Sequence, residues 1–253
     1  MRVLVLGGDG YLGWPTSMHL AAAGHEVMAV DNYARRRWAD DTSSQALIAN
    51  PRLPERAALF GSVSDYSLSV READLSDPEV MFDVVKSFQP EAIIHYAEQP
   101  SAPFSMMGFA EAQQTLNNNL NVTFNVIWAV KEIVPDCHII KLGTMGEYGT
   151  PNIDIEEGWL DVEHKGRKQT FLYPRQAGSL YHTTKVLDTD LLWFYVRTHC
   201  LRVTDLMQGP VYGISTPEID LHPDLGTNFH YDDIFGTLVN RFVIQAVAST
   251  LVV

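Results

Sequence analysis

Short apolar runs alternate with longer amphipathic stretches along most of the chain. Arg2–Leu6, Glu26–Val30, Leu68–Ala73, Ala92–His95, Cys137–Leu142 and Leu201–Leu206 are β-branched or apolar runs of strand length. Between them, Tyr11–Gly24, Glu111–Val134 and Ser179–Cys200 carry helical periodicity, ended by Gly24, by Pro135 and by the turn into Leu201. Asp77-Pro78-Glu79 opens another helix, with Asp77 as N-cap and Pro78 in the first turn. Strands alternating with helices predict a doubly wound parallel α/β sheet, whose ligand site lies at the carboxyl ends of the strands.

Two regions break the alternation. Residues 32–67 are polar, carry Pro51 and Pro54, and are too long for an ordinary connection. They read as a partly helical excursion over the site. Beyond residue 206, Gly209–Phe229 reads as loop, Asp232–Ala248 as helix, and Leu251-Val252-Val253 as the start of a strand. The expected organisation is a dinucleotide-binding domain over 1–206 and part of a substrate-binding region over 207–253. A domain ending on a strand start reads as truncated. The chain opens directly into a strand, so no leader peptide is expected before it.

The 253 residues are globular in composition, with 46% hydrophobic and 19% charged. A net charge of −13 disfavours nucleic-acid or anionic-membrane partners. No apolar run is long enough to span a bilayer. Two cysteines, Cys137 and Cys200, suit a reducing cytoplasm rather than a disulfide framework. No His, Cys, Asp and Glu grouping has metal-ligand spacing, so no metal is expected. Trp128, Trp193 and Phe194 are expected in the core, and Trp14 in packing rather than ligand contact.

Chemistry concentrates in three places. Gly8-Asp9-Gly10-Tyr11-Leu12-Gly13 is a G-x-G-x-x-G string, and Gly7, Gly10 and Gly13 also form G-x-x-G-x-x-G. Placed between a strand and a helix, such glycines let backbone approach a pyrophosphate at the positive end of the helix. Asp31, ending the second strand, can accept hydrogen bonds from an adenosine ribose and would repel a 2′-phosphate, which favours NAD over NADP. Arg35, Arg36 and Arg37 suit phosphate, although a solvated charge run explains any one of them as well. Asp74-Leu75 follows the third strand and could reach the adenine; a simple polar strand end is the alternative.

Tyr181-His182-Thr183-Thr184-Lys185 is a Y-x-x-x-K, with both functional side chains on one helix face. A phenol is a weak base at neutral pH. A neighbouring ammonium and a positive nicotinamide together stabilise the phenolate that takes a sugar hydroxyl proton. Thr144 follows the fifth strand and would face the same oxygen, unless it merely serves its own turn.

In this order the elements resemble the extended short-chain dehydrogenase/reductase superfamily of nucleotide-sugar enzymes. The resemblance implies Thr144, Tyr181 and Lys185 as the catalytic triad and Asn119 as a structural asparagine. It implies NAD contacts from Gly7, Gly10, Tyr11, Leu12, Gly13, Asp31, Asn32, Arg36, Asp74, Leu75, Tyr96, Ala97, Asn119, Tyr181, Lys185 and Gln208. Substrate contacts follow from Gln99, Ser101, Thr144, Met145, Gly146, Glu147, Tyr181 and Tyr212. A homodimer is implied through the two long helices.

Three longer strings, residues 95–106, 141–158 and 231–242, are similar to the UDP-sulfoquinovose synthase family. In that family NAD oxidises C4 of UDP-glucose, water leaves across C5 and C6, sulfite adds at C6, and hydride returns to C4. Sugar 4,6-dehydratases follow the threonine with an Asp-Glu pair; here Met145 and Gly146 stand there. Glu147 and His182 are the remaining candidates for acid–base work. An outward-facing histidine and a backbone-bonded glutamate are equally open. Three positions depart from the family: Pro100 in place of arginine, and Asn228 and His230 in place of arginine and aspartate. A nucleotide-sugar epimerase or dehydratase with another substrate, or a non-catalytic NAD-binding protein, are the competing expectations.

Overall fold

The computed structural model describes residues 1–156 and 158–249. The strand start expected at residues 251–253 lies outside them. The sheet has six parallel strands: β1 (Arg2–Leu6), β2 (Glu26–Asp31), β3 (Ser69–Glu72), β4 (Ala92–His95), β5 (His138–Thr144) and β8 (Arg202–Gln208). Their spatial order is β3-β2-β1-β4-β5-β8. The order reverses between β1 and β4, and there a crevice opens at the carboxyl ends of the strands.

The central strands β1, β2 and β4 are largely buried on both faces because helices cover both. On one face α4 (Pro78–Phe88), α6 (Phe109–Ile133) and α7 (Leu180–His199) bury Val85, Ile127 and Leu192 against Leu4, Ile93 and Ile139. On the other, α1 (Gly13–Ala22) and α3 (Leu53–Val63) bury Trp14, Met18 and Phe60 against Val3 and Val27. The Asp77 carboxylate caps α4 by accepting from the Glu79 and Val80 amides. Gln89, in the left-handed conformation, ends it.

The excursion contains α2 (Ala34–Asp41) as well as α3, and it folds back on the glycine loop. The short α5 (Ala102–Ser105) follows β4. Residues 209–229 are loop with two single 3₁₀ turns, Ile219–Leu221 and Pro223–Leu225.

Three sequence expectations change. An antiparallel hairpin, β6 (Trp159–His164) and β7 (Arg167–Leu172), lies between β5 and α7 where no strand was expected. It turns at Lys165-Gly166, both at positive φ, and is exposed on both faces, so no apolar alternation announces it. The last described helix, α8 (Leu238–Val247), begins six residues after Asp232. The Asp232 carboxylate instead accepts from the Ile234 and Phe235 amides and holds a turn ahead of it. Finally, Trp14 is fully buried as expected, but Phe194 is 47% exposed on the outer face of α7. Trp193 sits at the surface of the same helix, packed edge-on to Trp159 at 4.5 Å.

Candidate active site

A cavity of about 490 Å³ runs along the crevice. Its first end is the glycine loop. Gly7 has φ +83°, a conformation that L side chains rarely adopt, and a Cβ there would lie 2.7 Å from the Tyr96 carbonyl carbon. A Cβ on Gly13 would lie 1.9 Å from the Gly7 oxygen. The loop is thus drawn tight against the start of α1, where the Trp14 and Thr16 amides donate back to the Gly10 and Leu12 carbonyls. Such a cradle fits a pyrophosphate.

Asp31 closes β2 at the cavity wall. Its carboxylate accepts from the Asp9 amide at 2.9 Å and the Tyr33 amide at 2.7 Å. Burial raises its pKa to about 6, with the neighbouring Asp9 charge adding to the rise. Asn32, Asp74 and Leu75 line the same end.

The glycine loop is held from beneath by Asp9, a residue to which the sequence analysis gave no role. Its buried carboxylate takes a bidentate pair from Arg36, a 2.5 Å contact from the fully buried Arg56, and a 2.7 Å bond from the Asn228 amide. Thr227 Oγ1 donates to the Tyr11 carbonyl at 2.7 Å, and the Tyr11 hydroxyl donates to the Gly213 carbonyl at 2.5 Å. The excursion and the segment after β8 are thereby stitched to the loop. Asn228, one of the departures from the family pattern, is part of that stitch. His230, another, bonds Ser44 at 3.0 Å and lies 3.4 Å from the Asp232 carboxylate.

The second end of the cavity holds Thr144, Met145, Gly146, Tyr181, His182 and Gln208. Thr144 ends β5, and its hydroxyl accepts from the Gly146 amide at 3.1 Å while facing the cavity. The turn that follows gives the loop its shape. A Cβ on Gly146 would lie 2.4 Å from His182 Nε2, so the imidazole fills the space that a side chain at 146 would occupy. Ser179 caps α7 and bonds His182 Nδ1 at 2.9 Å, fixing the ring. Burial, and then Lys185, lower the His182 pKa, so the ring is neutral at pH 7.

Tyr181 and Lys185 share one face of α7, with the Lys185 ammonium 5.7 Å from the phenol ring centre. Lys185 does not itself line the cavity. Its ammonium lies 2.7 Å from the Glu98 carboxylate and donates to the Leu142 carbonyl at 2.5 Å. Burial raises the Tyr181 pKa above its ordinary value, and Lys185 offsets this only in part against Glu98, Glu147 and Asp188. Lys185 thus lowers the phenol pKa, as expected, but by less than burial and the neighbouring carboxylates raise it.

Several expected site residues stand behind the cavity rather than on it. Glu147 is fully buried and points into the protein, 3.2 Å from Arg175 Nε and 3.5 Å from Lys141 Nζ. The tight 3₁₀ turn Met145–Tyr148 leaves Met145 and Gly146 on the cavity and turns Glu147 inward, which removes it from acid–base and substrate contact. Arg36 is spent on Asp9 and on the Asn50 and Pro51 carbonyls, and its neighbour Arg35 faces the cavity instead. Asn119 is buried, accepting from the Gln99 amide and donating to Thr184 Oγ1. Gln99 is buried too, its side chain bonded to the Ser101 backbone. Tyr212 is 66% exposed and off the cavity wall. Gly10, Tyr11, Leu12, Tyr96, Ala97, Pro100 and Ser101 all line it. No cluster of metal-ligating residues occurs among the described residues.

Comparison with known proteins agrees with this arrangement. The model of the NAD dependent epimerase/dehydratase family matches residues 3–225. The chain is 43% identical over 245 residues to the chloroplastic UDP-sulfoquinovose synthase of Spinacia oleracea, covering 97% of this chain and 51% of that protein. It is 43% identical over 248 residues to the UDP-sulfoquinovose synthase of Sulfolobus acidocaldarius, covering 98% of this chain and 63% of that protein. The chain thus spans between about half and under two thirds of the length of these relatives. Among solved structures, Pal from Bacillus thuringiensis superposes with a TM-score of 0.70 at 18% identity, over 98% of this chain and 64% of that one, a likeness of fold. Together, the parallel sheet, the glycine cradle and the family match show that this chain belongs to the NAD dependent epimerase/dehydratase family.

Proposed function

We propose that the protein holds NAD along the crevice and converts UDP-glucose and sulfite to UDP-sulfoquinovose. The observation that carries this reading is the His182 imidazole seated against Gly146, in a threonine loop free of cavity-facing acids. With Glu147 turned inward, a dehydratase that uses two loop carboxylates has no residues to work with. The names of the two relatives at 43% identity support the same reaction.

The residues divide the work as follows. Asp31 accepts the adenosine ribose hydroxyls, and the Gly7–Gly13 loop receives the pyrophosphate. Bound NAD supplies a hydride acceptor and later a hydride donor at C4 of the sugar. Tyr181, assisted by Thr144, takes the C4 hydroxyl proton and later returns it. His182, neutral and fixed by Ser179, takes the C5 proton and delivers it to the departing C6 hydroxyl, so water leaves; sulfite, entering as bisulfite, then adds at C6 while its proton goes to C5. Atoms balance as UDP-glucose plus bisulfite giving UDP-sulfoquinovose plus water. Pro100 lines the cavity without charge, so Arg35 is the cation of the excursion that faces it.

We place the protein in the cytoplasm as a homodimer. Leu116 and Phe124 on α6 and Leu187 and Phe194 on α7 are exposed apolar positions that support pairing through these helices. No helix among the described residues is long and apolar enough to cross a membrane.

The test is mass spectrometry of products from UDP-glucose, with and without sulfite. A sulfonated UDP-sugar formed only with sulfite, and lost in Tyr181→Phe, is the expected result. Unchanged UDP-glucose under both conditions would contradict the proposal.

A further inference from the structure

We propose that Glu98 is a positioning residue for the Tyr181–Lys185 pair: its carboxylate pins the Lys185 ammonium behind the phenol and offsets its charge, so that the cofactor-free site keeps its proton on Tyr181. The inference deepens the hydride-transfer reading of this site and rests on it.

The geometry begins at the end of β4. The Glu98 amide donates back to the Tyr96 carbonyl at 2.8 Å, a tight turn, and the residue lines the cavity wall while its buried carboxylate meets Lys185. The side chain is 2% exposed, and one carboxylate oxygen lies 2.7 Å from Lys185 Nζ. The Leu142 carbonyl takes a second proton of the ammonium. An ammonium held by an anion on one side and a carbonyl on the other has one direction fixed for its third proton.

The other charged groups packed against this pair do not substitute for Glu98. His95, from β4, approaches the second Glu98 oxygen at 3.8 Å, but burial lowers its pKa to about 4, so it is neutral and bonded to Thr123. Lys141, from β5, is occupied by the Lys185 carbonyl, Thr189, Glu147 and Asp205. Asp188, from α7, is fully buried, and burial together with the Glu98 charge raises its pKa well above the ordinary value; the carboxylate in ion-pair contact with Lys185 is that of Glu98. Glu147 is paired with Arg175 and Lys141. Glu98 is thus the anion that answers Lys185. Burial would raise the Glu98 pKa, but Lys185 outweighs it and holds the carboxylate ionised.

The consequence is a threshold. With Lys185 neutralised, one positive charge behind Tyr181 is insufficient to ionise it, and a second, arriving in the cavity, is required. Oxidised nicotinamide is a charge of that kind, so the phenol becomes a base when the oxidised cofactor is in place.

The experiment compares wild type, Glu98→Gln, Glu98→Asp and His95→Gln, each confirmed folded by thermal melting. Tyr181 ionisation is followed by tyrosinate absorbance against a Tyr181→Phe blank, with and without NAD. Removing the charge that offsets Lys185 moves the midpoint by about one unit, a roughly tenfold gain in phenolate at a given pH. Glu98→Gln is expected to lower the midpoint by that amount without NAD. Glu98→Asp, which draws the carboxylate back, should lower it by less. His95→Gln, which disturbs packing and removes no charge, should leave it in place. An unmoved or raised midpoint in both Glu98 variants would overturn the proposal, as would an equal shift in His95→Gln. The titration needs no sugar nucleotide. Failure to turn over UDP-glucose would therefore count against the proposed reaction alone, and an unmoved midpoint in an active enzyme against Glu98 alone.

Discussion

With Asp31 as the proposed ribose ligand, NAD affinity should depend on pH in a definite direction. It closes β2 at the adenosine end of the cavity, and burial, helped by Asp9, lifts its pKa from 3.8 to about 6. For an acid with a raised folded-state pKa, the folded protein holds the proton more tightly than the unfolded chain. The stability this proton confers is present below the unfolded value and lost as pH rises through about 6. Two units correspond to about 3 kcal/mol at most, reduced by whatever solvent reaches the group. Ribose hydroxyls donate to the ionised form, so binding NAD must expel the proton. At pH 5 about one site in ten is ionised, and NAD should bind about tenfold more weakly than at pH 7.5. Asp31→Asn should bind about ten- to a hundredfold more weakly at pH 7.5, the worth of a charge-assisted hydrogen bond, and should lose the slope between the two pH values. Isothermal titration of both proteins with NAD at pH 5.0 and 7.5 measures all four quantities. Equal wild-type affinity at the two pH values, or an unchanged slope in Asp31→Asn, would refute the assignment.

Other expectations follow from the same contacts. Gly146→Ala places a methyl 2.4 Å from His182 Nε2 and should displace the imidazole; turnover should fall at least tenfold while NAD affinity, by titration, stays near wild type. Asp9→Ala strips Arg56 of its buried anion, costing about 3–5 kcal/mol and lowering the melting temperature by on the order of 10 °C in a calorimetric scan. Gly13→Ala drives a methyl into the Gly7 carbonyl and should abolish NAD binding measured by protein fluorescence. Replacing Phe124 and Phe194 with Glu should shift the sedimentation coefficient from dimer to monomer if α6 and α7 pair between subunits.

The centre of the sheet was legible because β1, β2 and β4 are largely buried on both faces and read as apolar runs, and Gly24, Pro78 and Pro135 punctuate the helices between the strands. The glycine cradle was legible for a related reason: only glycine fits where Gly7 and Gly13 meet backbone. The direction of side chains was less legible. Residues 144–149 announce a turn, but not that a 3₁₀ turn would leave Gly146 on the cavity and bury Glu147 against Arg175 and Lys141. Partnering across distance was invisible as well. Nothing near Lys185 in the chain announces Glu98, nor does anything near Asp9 announce Arg56, because both pairs are made by tertiary packing. The β6–β7 hairpin escaped notice because both its faces are wet.

The central claim is that hydride leaves and returns to C4 of one sugar while sulfite enters at C6. It is tested most directly with UDP-glucose deuterated at C4, incubated with NAD, sulfite and the protein, the product being analysed by mass spectrometry and NMR. The account predicts a sulfonated UDP-hexose that retains deuterium at C4. A product without sulfonate, or a sulfonated sugar whose C4 deuterium has been lost to solvent, would contradict it.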